Sequence, residues 1–200
     1  MALLTINNLT VAPLSSFTAQ VDNQQLIVLQ GESGSGKSRL LYAIADLVPH
    51  SGELYLGEQR CLNIPANTWR QQVMLVPSHI EWWYDTALEH FNSTPDSTEL
   101  QQLNLTATVL NQPITELSTG QKQRLGILRA LKRNPTFLLL DEVTANLDEK
   151  NTLAVETLIT CWLQDGSRGV IWCSHDTRQT QRIATRLWQI NNTRVMESNL

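Results

Sequence analysis

Four short runs in this chain are apolar at every position: Leu26-Ile27-Val28-Leu29, Val73-Met74-Leu75-Val76, Phe137-Leu138-Leu139-Leu140 and Val170-Ile171-Trp172-Cys173. A strand with one wet face alternates between apolar and polar residues, so a strand without alternation must be covered on both faces. Such strands build parallel sheets with helices packed above and below. Leu187-Trp188-Gln189-Ile190 is a weaker strand signal, and Glu53-Leu54-Tyr55-Leu56 is a short alternating strand between Gly52 and Gly57. A further strand is expected near Leu3. Helical spacing is read over 37–47, where apolar residues fall at 40, 41, 44, 45 and 47 before Pro49. Further helices are expected near 85–91, 98–111, 119–133, 149–164 and 177–186. Strands alternating with helices predict a doubly wound α/β fold whose ligands bind at the carboxyl ends of the strands.

With 200 residues, 42% of them hydrophobic and 17% charged, the chain can bury one core and is too apolar for wholesale disorder. One domain over 1–200 is expected. The net charge of −4 argues against a nucleic-acid partner, whose footprint would be basic. No apolar run approaches the ~20 residues that cross a bilayer. Met1 to Asn8 carries no basic leader followed by an apolar stretch, so no signal peptide is expected. Cys61, Cys161 and Cys173 form no C-x-x-C pair. They read as reduced, buried thiols of a cytoplasmic protein rather than a disulfide frame or a zinc site.

Gly31-Glu32-Ser33-Gly34-Ser35-Gly36-Lys37-Ser38 satisfies G-x-x-x-x-G-K-[ST] at every fixed position. It also follows a buried-strand run and opens a helical one. Glycines let the backbone curl so that successive N–H groups point inward, and the helix N-terminus adds its partial positive charge. Lys37 would reach the β- and γ-phosphates of a nucleoside triphosphate, and the Ser38 hydroxyl would ligate Mg²⁺. Arg39, the next residue, is counted with the nucleotide-binding set. The apolar strand 137–140 ends in Asp141 and Glu142. Asp141 is the candidate carboxylate for the Mg²⁺ shell and Glu142 the candidate for polarising the attacking water. The plainer reading is that the two acids begin the next turn and helix.

Leu117-Ser118-Thr119-Gly120-Gln121-Lys122-Gln123-Arg124 precedes that strand. It resembles the LSGGQ signature of ABC-type ATPases, with Thr119 at the first of the two glycine positions. A plain serine N-cap would explain Ser118 as well, but not its order between a phosphate loop and an acidic strand end. Ala145-Asn146-Leu147-Asp148 resembles the family's D-loop, although Asp148 can equally N-cap the following helix. Ser174-His175-Asp176 resembles its switch-histidine motif.

The resemblance runs over essentially the whole chain. It implies a P-loop NTPase fold with a mostly parallel core sheet, a small antiparallel β lobe and a helical signature lobe near 80–133. It further implies an ATP- and Mg²⁺-dependent ATPase energising a separate membrane permease. Two such subunits pair head to tail, as a homodimer or heterodimer. Gly31 to Ser38 would then hold phosphates and metal in cis, while Ser118 and Gly120 contact the γ-phosphate in trans. Glu142 and His175 would be catalytic, and the location would be the inner face of the cell membrane. The 68–73 run and Leu140-Asp141-Glu142-Val143-Thr144 resemble a compact bacterial group of iron exporter ATPases. No metal site beyond Mg²⁺ is expected. The other readings are a soluble ABC ATPase without a transport role, and a weakly active regulatory module.

Two places depart from the family pattern. Ser78 aligns with a glutamine that normally completes the Mg²⁺ shell, and its shorter side chain would reach the metal only through water. The aromatic residue that stacks on adenine is missing near the N-terminus, because Phe17 is spaced with Leu14 and Val21 as a core residue. Trp82, Trp83 and Tyr84 are candidates either for a permease groove or for packing of the helical lobe. Lys122, Arg124, Arg129, Lys132 and Arg133 read as a solvated helix face. Loss of one stacking platform costs ~1–3 kcal/mol, about 5- to 150-fold in affinity. Nucleotide binding is therefore expected to be weak and poorly selective for the base. Competition titrations should show ATP and GTP displacing one another at similar concentrations; low-micromolar ATP binding with far weaker GTP binding would contradict this.

Overall fold

The structure is a computed structural model that describes residues 3–198. Met1, Ala2, Asn199 and Leu200, the ends of the domain expected over 1–200, lie outside the described residues. In chain order the strands and α-helices are β1 (Leu4–Val11), β2 (Leu14–Val21), β3 (Leu26–Gly31), α1 (Lys37–Ile44), β4 (Ser51–Leu56), β5 (Gln59–Arg60), α2 (Ala66–Gln72) and β6 (Val73–Val76). They continue with α3 (Ser97–Gln102), α4 (Thr119–Leu131), β7 (Phe137–Asp141), α5 (Glu149–Gln164), β8 (Gly169–Cys173), α6 (Thr177–Ile183), β9 (Arg186–Asn191) and β10 (Arg194–Ser198).

The larger sheet has the order β10-β9-β3-β8-β7-β6 and is parallel except for the edge strand β10, which pairs antiparallel with β9. A smaller antiparallel sheet runs β2-β1-β4-β5. Side chains of a strand point alternately to its two faces, and here both faces are dry. Ile27, Leu29, Phe137, Leu139, Ile171 and Cys173 join one buried cluster, with α1 and the inner face of the smaller sheet. Leu26, Val28, Leu138, Leu140, Val170 and Trp172 join the other, with α4, α5 and the segment around Leu100 to Leu117. The four apolar runs are thus the four strands β3, β6, β7 and β8. Phe17 is core, as its spacing predicts, and meets Trp188 edge to face at 5.0 Å between ring centroids. Among the described residues no helix is long and apolar enough to cross a membrane.

Several local expectations are corrected. The helix expected over 85–91 is a single 3-10 turn, Leu88–His90. The helix expected over 98–111 is α3 followed by a 3-10 turn at Ala107–Leu110, because the chain turns at Asn104 with φ +53°. The helix expected over 37–47 stops at Ile44, and the one expected over 177–186 stops at Ile183, since Arg186 already belongs to β9. Nothing in the pattern marks strands β2, β5 and β10 or helix α2. Helix α2 is seven residues long and anchored by Trp69, whose indole N–H donates to the Ile44 carbonyl at 3.0 Å. Cys61 and Cys173 are buried, but Cys161 is exposed on α5, outside any core face.

Helix α4 approaches the loop after β6 closely at Gly126. A Cβ built there would overlap Ile80 Cδ1 and stand 2.9 Å from its Cγ2. Glycine is required at this position by that contact, not by backbone dihedrals. Gly126→Ala is expected to destabilise the fold by about 1–3 kcal/mol through overpacking, measured as a lowered denaturant midpoint with an unchanged m-value.

Candidate active site

The parallel ladder sets the site. Leu29 of β3 lies opposite Cys173 of β8, and Cys173 lies opposite Asp141 of β7. The three strands therefore finish side by side, and the loops they release, 31–38, 142–148 and 174–176, share one edge of the sheet.

From Gly31 the chain curls into the N-terminus of α1. Gly36 is the N-cap residue at φ +104°, a conformation open to glycine, and no side chain caps this helix. The first amides of α1 are left to an outside acceptor. Helices α3, α4, α5 and α6 differ, because Asp96, Ser118, Asp148 and Asp176 each cap their own first turn. An uncapped N-terminus preceded by a curled glycine loop binds phosphate oxygens. Glu32, Ser33 and Gly34 are exposed on the loop, with Ser38 and Arg39 exposed on the first turn of the helix. Ser35 is half-buried and its amide donates to the Glu32 carbonyl at 3.2 Å.

Lys37 is buried, and its ammonium donates to the carbonyls of Gly31 and Glu32 at 3.0 and 3.1 Å. Nζ also stands 3.8 Å from Glu142 Oε1. The cation thus rests on the carbonyls of its own loop, where it can be exchanged onto a phosphate. Ser38 Oγ donates to Asp141 Oδ1 at 3.1 Å. Burial pushes the Asp141 carboxyl above its ordinary range; the Ser38 hydrogen bond opposes this, the neighbouring Glu142 charge adds to it and Lys37 offsets it in part. A buried carboxylate under that pressure, touching a hydroxyl oxygen, is a donor set suited to a hard cation such as Mg²⁺.

Glu142 departs from the strand with φ +51°, an uncommon conformation for a residue with a side chain. Its amide donates to the Cys173 carbonyl at 3.2 Å, so the backbone stays on the sheet while the side chain swings toward β8. There His175 Nε2 lies 2.8 Å from Glu142 Oε1. Residues separated by 33 positions in sequence become one close polar pair. A cavity of about 500 Å³ opens beside it, with Glu142, Thr144, His175, Asp176 and Gln179 in its wall.

Other candidates lie apart from this centre. Ser118 accepts from the Gln121 amide at 3.2 Å and its own amide donates to Gln121 Oε1 at 2.8 Å, a closed capping box. Its hydroxyl proton remains free to donate. The Gly120 carbonyl accepts from Arg124. Neither Ser118 nor Gly120 hydrogen-bonds to the phosphate loop of this same chain. Ser78 is exposed and joins neither the Ser38–Asp141 pair nor the Glu142–His175 pair. Asp148 does cap α5 through the Asn151 amide at 2.8 Å.

Of the basic run on α4, Arg133 is exposed as its charge suggests, but Arg124, Arg129 and Lys132 are engaged by neighbouring segments. Arg124 is buried and donates to the carbonyls of Leu103, Asn104 and Gly120 and to Asn151 Oδ1. Lys132 pairs with Glu99 at 2.9 Å, and the Arg129 guanidinium lies 4.5 Å from the Trp82 ring centre. Charge alone gave no sign of these partners, because they come from α3, α5 and the 81–90 loop.

A curled glycine loop and uncapped helix at the end of a parallel strand, with an acidic strand end beside it, define a P-loop nucleotide-binding protein. Residues 14–145 match the family described as ABC transporter. The chain is 33% identical over 161 residues to the "Probable iron export ATP-binding protein FetA" of Escherichia coli (strain K12), covering 74% of this chain and 72% of that protein. It is 29% identical over 199 residues to the spermidine/putrescine import ATP-binding protein PotA of Fusobacterium nucleatum, covering 92% of this chain and 52% of that one. In fold it matches a solved ATP-binding subunit of an ABC transporter at a TM-score of 0.85 and 21% identity, over 99% of this chain and 90% of the other. The chain belongs to the ABC transporter family as an ATP-binding subunit, and it is an ATPase.

The raised Asp141 carboxyl yields a prediction whose sign follows from linkage. The folded chain holds this proton more tightly than the unfolded chain, so the group costs stability once pH exceeds the ordinary aspartate range. Asp141→Asn should raise the melting temperature of the metal-free protein at neutral pH. It should also abolish the further rise produced by adding Mg²⁺ with ATP. Thermal unfolding in EDTA and in Mg-ATP checks both outcomes.

Proposed function

We propose that this chain is the motor of a membrane transporter, working as a dimer on the inner face of the cell membrane against a separate permease. The observation that carries this reading is the separation of the Ser118 turn from the phosphate loop of its own chain, while Glu142 and His175 stand beside that loop. A signature turn that makes no hydrogen bond to its own phosphate loop, and whose Ser118 hydroxyl proton is not committed, suits the γ-phosphate of a nucleotide held by a second subunit.

In the proposed cycle Gly31 to Ser38 hold the triphosphate, and Lys37 exchanges its loop carbonyls for phosphate oxygens. Ser38 and Asp141 would hold Mg²⁺, which neutralises charge on the phosphoryl oxygens when bound. Glu142 Oε1 accepts the proton of the attacking water, and His175 Nε2–H keeps that carboxylate oriented. Loss of the γ-phosphate removes the charge gripped from both sides, so the dimer closes and reopens with the nucleotide state.

Trp83 and Tyr84 are 61% and 51% exposed, which supports a docking role for them beside the half-buried Trp82. Their amides donate to His90 Nε2 at 2.9 and 3.0 Å, so a buried histidine holds the aromatic corner in shape. Relatives named for iron export and for spermidine import share this cassette, which supports leaving cargo selection to the permease.

The test is Mg-ATP turnover by the wild-type chain and by Glu142→Gln, with size-exclusion chromatography of each in ATP. The wild type should hydrolyse ATP, and the variant should lose at least about a hundredfold in kcat while eluting as an ATP-dependent dimer. A monomer under all nucleotide conditions, or an unaffected variant, would refute the cycle as written.

A further inference from the structure

We infer that Gln179, oriented by Glu156, is a positioning residue that sets the spacing between the two arms carrying Glu142 and His175. This inference rests on the reading of those two residues as the hydrolytic pair.

The arms leave neighbouring strands and run into different helices. One runs from Glu142 through Thr144 into α5, and the other from His175 into α6. The backbone ties them only at their base, where the Glu142 amide meets the Cys173 carbonyl. Beyond that point the cavity of about 500 Å³ lies alongside them, with Glu142, Thr144, His175, Gln179 and Arg182 in its wall. Packing therefore leaves the distance between the arms open on that side, and a hydrogen-bonded strut crosses instead.

Gln179 is 1% exposed on the first turn of α6. Its amide meets Thr144 twice, with Nε2 3.1 Å from Oγ1 and Oε1 3.3 Å from the same hydroxyl. Nε2 also donates to Glu156 Oε1 at 3.0 Å. Glu156, 4% exposed on α5, is in turn gripped by Arg182, whose Nε and second guanidinium nitrogen donate to the two carboxylate oxygens at 2.8 and 2.7 Å. A carboxylate only accepts, so it can face only the NH₂ end of the glutamine amide. Glu156 thereby fixes which way Gln179 points, and Gln179 fixes Thr144, two residues beyond Glu142. On its other side α6 is tied to β3 by the Gln30 amide, which donates to Thr180 Oγ1 at 2.8 Å. The strut thus spans α5, the Glu142 arm and α6, and α6 is anchored to the strand that releases the phosphate loop. Gln179, Glu156 and Thr144 belong to no part of that loop.

A strut of this kind acts on the geometry of reaction and leaves nucleotide binding alone, since small misplacement of a catalytic group costs up to about a hundredfold in rate. The experiment measures kcat and KM for Mg-ATP in Gln179→Leu, Glu156→Gln, Thr144→Val and the double exchange Gln179→Glu with Glu156→Gln, alongside Glu142→Gln. Each single strut variant should lose about 10- to 100-fold in kcat with KM within about twofold. The double exchange restores one carboxylate facing one amide but leaves Arg182 one acceptor short, so it should recover part of the loss. Thr144→Val cuts the strut at its half-buried end and keeps the test decisive if leucine at 179 unfolds the chain. Unchanged kcat in Thr144→Val, or a loss in the single variants that the double exchange does not relieve, would overturn the positioning role while Glu142→Gln remained inactive. Full turnover in Glu142→Gln would instead overturn the hydrolytic pair and this inference with it.

Discussion

Everything chemical in this protein depends on the register of three parallel strands. Leu29, Cys173 and Asp141 sit level with one another across β3, β8 and β7, so the segments that follow them emerge at one edge. Burial on both faces enforces that register. A slip of one residue would exchange the faces of each strand, turning Ile27 and Leu29 toward α4 and α5 and breaking both clusters at once. Because every residue exchanged is apolar, a slip forfeits shape fit rather than burial, and each overpacked position costs about 1–3 kcal/mol. The sheet therefore does more than support the site: it fixes which loop ends can touch.

At that edge the charges are arranged as a balance that a ligand can tip. Lys37 rests on loop carbonyls within 3.8 Å of Glu142, and Glu142 is claimed more closely by His175. Asp141 is buried, with its proton affinity raised, and the Ser38 hydroxyl donates to it at 3.1 Å. A phosphate chain with a cation would satisfy the uncapped amides of α1, draw Lys37 away from its carbonyls and relieve the Asp141 carboxylate together. Helices α3, α4, α5 and α6 cap their own first turns through Asp96, Ser118, Asp148 and Asp176, whereas the uncapped α1 is the one that a curled glycine loop leads into at the strand ends.

Much of this is legible in the residues alone. The phosphate loop, the acidic strand end, the signature and the histidine are short local patterns, and each demands a particular backbone or charge over a few consecutive residues. Where the pattern misled, the deciding contacts were long-range. Arg124 looks solvated by composition and is buried because carbonyls 20 and 21 residues away and Asn151 turn toward it. The segment 98–111 has helical spacing, yet the left-handed turn at Asn104 splits it so that Leu103 and Leu105 can both face the core. Strand β10 has an exposed edge and little apolar content, so no burial signal marks it. Ser78 departs from the family pattern in sequence, and in the fold it stays exposed and outside both polar pairs.

Residue type and near spacing are enough to read the class of fold and the phosphate loop, and to single out Asp141, Glu142 and His175 as candidates. Tertiary structure decided which of them meet: Ser38 with Asp141, 103 residues apart, and Glu142 with His175. It also decided that Gln179, Glu156 and Arg182 form one buried network, for which no motif exists. Hydrogen bonds of 2.7 to 3.1 Å require atoms to coincide in space, and only the packing of α5 and α6 on the finished sheet brings these atoms together.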